Sequence, residues 1–252
     1  MQEIDHALAR AYATTRRGTP NEVQAVPPAP HFVVESRPQT ALTSQGFDWP
    51  ATVKTLEREH GDRFRRLGDA LIEMRDNKGI KVLLFTSCHR AEGRTTLVLT
   101  LARALARKQG KTLIVDADLT GPMLARQLGL RPTVGLDDVV ENGQALADAI
   151  IESPDDHLSI LPLRAPVTAP REFLSGSAWS CAMAKLRREY DLILIDGSPL
   201  FAGLSAAVLH KSVDAAVLVH HRALTGERAL LRAQEVLEAG GIPLLGLAET
   251  FV

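Results

Sequence analysis

From residue 80 onward, short apolar runs alternate with stretches in which apolar residues recur every three or four positions. Most of the runs at 81–86, 112–116, 158–161, 192–196, 215–220 and 244–248 are continuous in apolar residues, the pattern of strands covered on both faces. The intervening segments 95–109, 123–128, 177–189, 203–211 and 226–239 read as helices. This alternation predicts an α/β fold with a mostly parallel, doubly wound central sheet and helices on either side, three layers in all. Right-handed crossovers then put the ligand edge at the C-terminal ends of the strands.

The beginning of the chain breaks this pattern. A short helix is expected at 4–13, but 18–50 carries Pro20, Pro27, Pro28, Pro30, Pro38 and Pro50, which interrupt helices and withhold strand donors. We therefore read 1–58 as an N-terminal arm and Pro-rich linker, largely flexible, and 59–252 as the folded domain. Around the junction, 52–60 reads as a short helical piece. A second helix over 63–74 has Phe64, Leu67, Leu71 and Met74 at helical spacing, ready to pack on the domain.

The stretch Cys88-His-Arg-Ala-Glu-Gly-Arg-Thr-Thr96 joins the first predicted strand to the first long helix. A loop in that place presents backbone N–H groups at a helix N-terminus, which is an anion site. The usual phosphate loop, G-x-x-x-x-G-K-[ST], adds a Lys on the terminal phosphates and a hydroxyl on Mg²⁺. Gly93 and Thr95 keep that register, while Cys88 stands at the first Gly and Arg94 at the Lys. Downstream, Asp116 and Asp118 follow one strand and Asp196 ends another. Carboxylates there can hold a cation and orient a nucleophile.

Composition narrows the partners. With 252 residues, 45% of them hydrophobic and 23% charged, the chain can bury one large core or two small ones. A net charge of −1 and a pI near 6.7 give no electrostatic basis for binding nucleic acid. Cys88 and Cys181 have neither metal-ligand spacing nor a secretory context, so a reducing, cytoplasmic setting is expected. No apolar run approaches the roughly 20 residues of a bilayer span. Direct membrane insertion is not expected, and any membrane recruitment would come through a partner.

From about residue 62 onward the chain resembles the bacterial tyrosine kinases of capsule and exopolysaccharide export, within the deviant-Walker P-loop ATPases. Thr86-Ser-Cys-His-Arg-Ala-Glu-Gly-Arg-Thr-Thr96 is similar to T-S-A-x-P-G-E-G-K-S-T, and Leu113-Ile-Val-Asp-Ala-Asp-Leu-Thr-Gly-Pro122 to a strand ending in D-A-D-L-R-x-P. Further along, Gly135-Leu-Asp-Asp-Val resembles G-L-S-D-V, and Pro170-Arg-Glu-Phe-Leu resembles P-x-E-L-L. Tyr190-Asp-Leu-Ile-Leu-Ile-Asp-Gly-Ser-Pro199 is similar to Y-D-x-I-I-I-D-T-P-P. The resemblance implies a P-loop NTPase fold binding ATP or ADP with Mg²⁺. Glu92, Gly93, Arg94, Thr95 and Thr96 would hold phosphates, and Thr250 would lie near the adenine. Thr95, Asp116 and Asp196 would hold the metal, with Asp116, Asp118 and Asp196 arranging water or an acceptor hydroxyl. It also implies a partner, the cytoplasmic tail of a membrane polysaccharide co-polymerase, and a homo-oligomer.

Several residues depart from that pattern. A guanidinium is a planar fork where the family carries a compact ammonium, so Arg94 predicts slow or absent phosphoryl transfer. Thr120 replaces an Arg, and Thr250 replaces an Asn that helps to recognise adenine. The oligomer-forming E-x-x-R-x-x-R survives only as Asp62, Arg65 and Gly68. The chain has no tyrosine cluster, only Tyr12 in the arm and Tyr190 at a strand entrance, where it reads as structural. His89 stands where partitioning ATPases carry a signature Lys. His220 and His221, adjacent in an extended segment, have no obvious third ligand for a metal, and Cys88 reads as a small residue filling a tight turn. Three functions follow in order: a nucleotide-binding regulator with weak or lost phosphoryl transfer, an active kinase or ATPase of the same pathway, and a septum-placement or partitioning ATPase.

Overall fold

The computed structural model describes residues 41–42, 46–108, 110–202, 209 and 211–250, with only the backbone of the first two. The expected helix at 4–13, Tyr12, the linker up to residue 40 and nearly all of the 203–211 helix lie outside the described residues.

The strands are β1 Ala41–Leu42, β2 Val82–Ser87, β3 Thr112–Ala117, β4 Ile151–Ser153, β5 Leu158–Leu161, β6 Leu192–Gly197, β7 Ala215–His221 and β8 Leu244–Thr250. They form one sheet in the order β1-β4-β5-β3-β6-β2-β7-β8. Among the described residues every pairing is parallel except β4 with β5. The helices are α1 Ala51–Lys78, α2 Arg94–Ala106, α3 Leu124–Gln127, α4 Leu136–Glu141, α5 Leu146–Ala149, α6 Pro170–Ser175, α7 Ser177–Glu189 and α8 Glu227–Ala239.

The apolar runs become a three-layer structure because alternate residues of a strand face opposite ways. Val82 and Leu84 point into one core with Leu113, Val115, Ile193, Ile195 and Leu218, under α6, α7 and α8. Leu83 and Phe85 point into the other with Ile114, Leu194, Ala215 and Val219, against α1, α2 and α3. Both faces of the central strands are thus covered, as their continuous apolar character predicts. The last strand differs. β8 is an edge strand paired on one side only, and its Gly246 and Leu247 are exposed.

The two short helices expected at 52–60 and 63–74 are joined in the 28-residue α1, with His60 at a non-helical φ of −127° marking the kink between them. Gly79, at φ 69°, ends the element by donating its N–H to the Arg75 carbonyl, the usual role of a left-handed glycine after a helix. α1 passes through position 58, where the sequence put the boundary between arm and domain, and Phe47, Trp49 and Val53 are buried. Gly68 lies against α2, where an added Cβ would meet Leu105 Cδ2 at 3.4 Å.

Asp156 anchors the chain ahead of α1. Its carboxylate accepts the Phe47 N–H at 2.7 Å, the Trp49 indole N–H at 2.8 Å and the Ser153 hydroxyl at 2.7 Å. The Arg103 guanidinium covers the Trp49 ring from 4.6 Å. Burial pushes the Asp156 carboxyl up, but those three donors outweigh it and hold it below the usual carboxylate value. Asp156→Ala is expected to lower stability by about 2–3 kcal/mol at pH 7, since it leaves three donors without their charged acceptor. A carboxyl depressed on folding gives stability that is present above its unfolded pKa and lost as pH falls. Urea denaturation should therefore show the gap between variant and parent closing below roughly pH 4.

Candidate functional site

The sheet register builds the site. In the order β3-β6-β2, Asp116 of β3 sits directly beside Asp196 of β6, and Asp196 in turn beside Phe85 of β2. The chain leaves β2 at Ser87, turns through Cys88 to Gly93, and enters α2 at Arg94. Ala91 and Gly93 adopt left-handed φ values of 60° and 78°, a conformation natural to glycine and strained for alanine.

Glu92 locks this turn from inside. It is 1% exposed; its carboxylate accepts the His89 N–H at 2.8 Å and the hydroxyl of Thr225. Thr250, at the end of β8, donates its hydroxyl to the Glu92 carbonyl at 2.8 Å and lies 3.2 Å from where a Cβ on Gly93 would stand. Cys88 is fully buried among the aliphatic residues under α8, with its sulfur 3.6 Å from the Ala229 carbonyl. Burial, and then the nearby Glu92 charge, push its thiol up to about 11. A packed, protonated sulfur is what replaces the first loop glycine.

Arg94 has turned inward. Its Nε donates to Asp196 Oδ1 at 3.2 Å, Nη1 to Ser87 Oγ at 2.7 Å and Nη2 to Asp118 Oδ2 at 2.8 Å. The residue is 7% exposed, between Asp118 at 4% and Asp196 at 1%. Thr95 donates its hydroxyl to the other Asp196 oxygen at 2.6 Å. Asp116 neighbours the cluster but faces backbone: its two oxygens accept the N–H groups of Asp118 at 3.2 Å and Leu124 at 2.9 Å. Burial, and next the Asp196 charge, drive the Asp116 carboxyl up to about 8. Burial also raises Asp196, against the pull of Arg94 and the Thr95 hydrogen bond. At the rim, Arg90 donates to the Thr120 hydroxyl at 2.6 Å, and Thr120 donates to Asp118 Oδ1 at 3.1 Å.

α2 begins without any side-chain cap, so its first N–H groups are free to receive an anion. Beside them opens a cavity of about 990 Å³ bounded by Leu56, His60 and Phe64 of α1, by Gly93, Thr95 and Thr96, and by Thr250. That space is of the size that holds a nucleotide-like ligand. A nucleotide therefore fits these residues. A divalent cation does not, because Asp118 and Asp196 are engaged by Arg94, the Thr95 hydroxyl is donated to Asp196, and both Asp116 oxygens accept backbone N–H groups. Among the described residues, no group of three or more His, Cys, Asp or Glu side chains is arranged to hold a metal ion.

The expected site residues fall into three groups. Arg94, Thr95, Asp118 and Asp196 form one ion-pair cluster; Glu92, Gly93, Thr96 and Thr250 shape the loop and the cavity wall; Asp116 supports the strand-end turn. Sequence reasoning missed Ser87 as a partner of Arg94, and the α1 residues on the cavity wall. Ser87 stood inside the loop motif as a visible signal, whereas nothing local tells where α1 will lie. Tyr190 is buried, and burial raises its hydroxyl pKa. His220 is buried and His221 lines the cavity.

Among α/β folds, a helix started on such a loop beside carboxylate-ended strands is the mark of P-loop NTPases, and this chain has that fold. Residues 81–239 match the family model described as an AAA domain; the chain belongs to that family and, within it, to the bacterial tyrosine kinases, with a degenerate phosphate loop. It is 30% identical over 171 residues to tyrosine-protein kinase YwqD of Bacillus subtilis strain 168, covering 68% of this chain and 72% of that one. The crystal structure of the VpsO kinase domain superimposes with a TM-score of 0.69 at 28% identity, covering 78% of this chain and 98% of that one. A septum site-determining protein, MinD of Pyrococcus horikoshii in complex with Mg-ADP, matches at TM-score 0.55 and 27% identity over 66% of this chain and 68% of its own. No helix among the described residues is long and apolar enough to cross a membrane.

Proposed function

We propose that this chain is a nucleotide-binding, bacterial tyrosine-kinase-like regulator of exopolysaccharide or capsule synthesis and export, with phosphoryl transfer weak or lost. The observation that carries the proposal is the inward course of Arg94. Phosphoryl transfer depends on positive charge placed at the terminal phosphate as it moves, and here that charge is held 2.8 Å from Asp118 and 3.2 Å from Asp196 instead. The N–H groups at the start of α2 and the cavity beside them support retention of ATP or ADP. Such a ligand stabilises the folded form by mass action, about 2.7 kcal/mol at a hundredfold excess over Kd. The relatives named as tyrosine kinases support a cytoplasmic place in the same pathway. The partner would be the cytoplasmic tail of a membrane polysaccharide co-polymerase, which would bring the chain to the inner membrane, and self-association of this chain belongs to the same reading.

An active kinase or ATPase of that pathway is the second reading, favoured by Gly93 and Thr95 in their usual register. A partitioning or septum-placement role has less support, since His89 stands at the signature Lys position. Calorimetric titration with ATP and ADP, followed by phosphate release on the same sample, separates the first two. We expect binding without turnover in the parent. In Arg94→Lys, an ammonium able to leave the carboxylates should raise phosphate release by at least about tenfold, equal to roughly 1.4 kcal/mol of barrier. Turnover in the parent equal to that of Arg94→Lys would restore the active-enzyme reading.

A further inference from the structure

The geometry points to the Arg94 guanidinium as the resident cation of this site: it takes the place of a divalent metal, excludes one, and leaves a nucleotide to be held by the loop without metal. The last part rests on the nucleotide-binding reading proposed above; the exclusion of metal does not.

A small dication such as Mg²⁺ needs oxygen ligands in near-octahedral array, including one or two carboxylates. Asp116 turns both oxygens to the backbone N–H groups of Asp118 and Leu124, and Asp118 Oδ1 accepts the Thr120 hydroxyl; the oxygens left to serve are Asp196 Oδ1 and Oδ2, Asp118 Oδ2 and Thr95 Oγ1. The Arg94 fork lies on two of them, at 3.2 and 2.8 Å, and the Thr95 hydroxyl is donated to a third at 2.6 Å. Its remaining nitrogen, Nη1, is held by Ser87 Oγ at 2.7 Å, which in turn donates to the His89 carbonyl at 2.7 Å. The guanidinium is therefore fixed from three directions by groups that belong to β2, β6 and the turn after β3. A guanidinium carries its charge at every accessible pH and cannot release it by deprotonation. A metal could enter only by expelling a buried arginine and meeting its like charge on the way out. Chelation cannot empty such a site, and changes in metal concentration cannot regulate it.

The test uses the full chain prepared free of metal. Mn²⁺ serves as the probe, its free fraction read by electron paramagnetic resonance and its effect on folding by thermal denaturation. The parent should leave Mn²⁺ free and its melting temperature unmoved. Arg94→Ala uncovers the carboxylates and should bind Mn²⁺ at least about tenfold more tightly than the parent, with a melting temperature that rises as Mn²⁺ is added. Arg94→Gln, closer in volume, is measured alongside. If neither variant folds in chelator, folding restored by Mn²⁺ supports the proposal, and failure of Mn²⁺ to restore either one overturns it. Mn²⁺ binding by the parent as tight as by the variants also overturns it, as does a folded variant that leaves Mn²⁺ free.

A second arm titrates ADP into the parent in chelator and in excess Mg²⁺. Equal affinity within about twofold is expected, and a gain of tenfold or more with Mg²⁺ overturns metal-free binding. Absence of ADP binding in both buffers would defeat the nucleotide reading and with it metal-free binding, while the Mn²⁺ arm still decides whether Arg94 is the resident cation.

Discussion

Arg94→Ala in metal-free buffer at pH 8 is expected to lower the free energy of unfolding by about 3–5 kcal/mol, read from urea denaturation as a lower midpoint at unchanged slope. The loss is large because the substitution removes one partner of a buried ion-pair cluster and strands the others. Asp118 and Asp196 stay 4% and 1% exposed, with their carboxylates in a medium that solvates charge poorly. Measured against the 5–15 kcal/mol that ordinarily separates folded from unfolded states, such a change takes a substantial part of the total. Its pH dependence has a definite sign. Burial already raises Asp196 in the folded state, and the Arg94 charge does most to oppose it. Without Arg94 the carboxyl rises further. A carboxyl raised on folding gives stability that is complete below its unfolded pKa and lost as pH climbs through the folded value. The variant should therefore lie closer to the parent at pH 5 than at pH 8; an equal gap at both would show that the cost comes from packing rather than charge.

Trp179→Ala is the second large effect, again about 3–5 kcal/mol. Trp179 lies on α7, is 0% exposed and stands in the core above β3 and β6. Its ring meets Phe173 of α6 at a centroid distance of 6.1 Å, and its indole N–H donates to Ser212 Oγ at 2.9 Å. Truncation thus creates a cavity, separates two helices and leaves a buried hydroxyl without its donor. For a chain of this length, the melting temperature should fall by about 6–20 °C. The residue packs on the face of the sheet opposite α1 and α2 and does not line the cavity beside them, so nucleotide binding at low temperature should persist.

The central strands were legible because β2, β3, β6 and β7 bury both faces, and continuous apolar character reports that condition locally. Their strand-end carboxylates were legible for the same reason: Asp116 and Asp196 stand out where an apolar run stops. The direction taken by Arg94 was not. It depends on Asp196 and Asp118 being brought alongside by parallel pairing of strands far apart in sequence, and no local pattern encodes that register. β4 escaped notice because Ile-Glu-Ser is three residues long with a charge at its centre, too little for periodicity to register. α1 was read as two pieces, and the kink at His60 is the physical counterpart of that reading. The burial of β8 was overread, because an edge strand keeps an apolar composition while half of it faces solvent. Gly68 shows a different limit, since its closeness to Leu105 is set by how α1 crosses α2 and not by its neighbours in sequence.

The sealing of Cys88 beneath the loop has a practical side. With that sulfur packed against Ala229 and Cys181 exposed on α7, the two cysteines of the chain differ completely in reach. A maleimide fluorophore or spin label applied to the native protein should attach at one place, on the outer surface of a core helix. Labelling at Cys181 then needs no engineering of the sequence and leaves the thiol of the phosphate loop untouched.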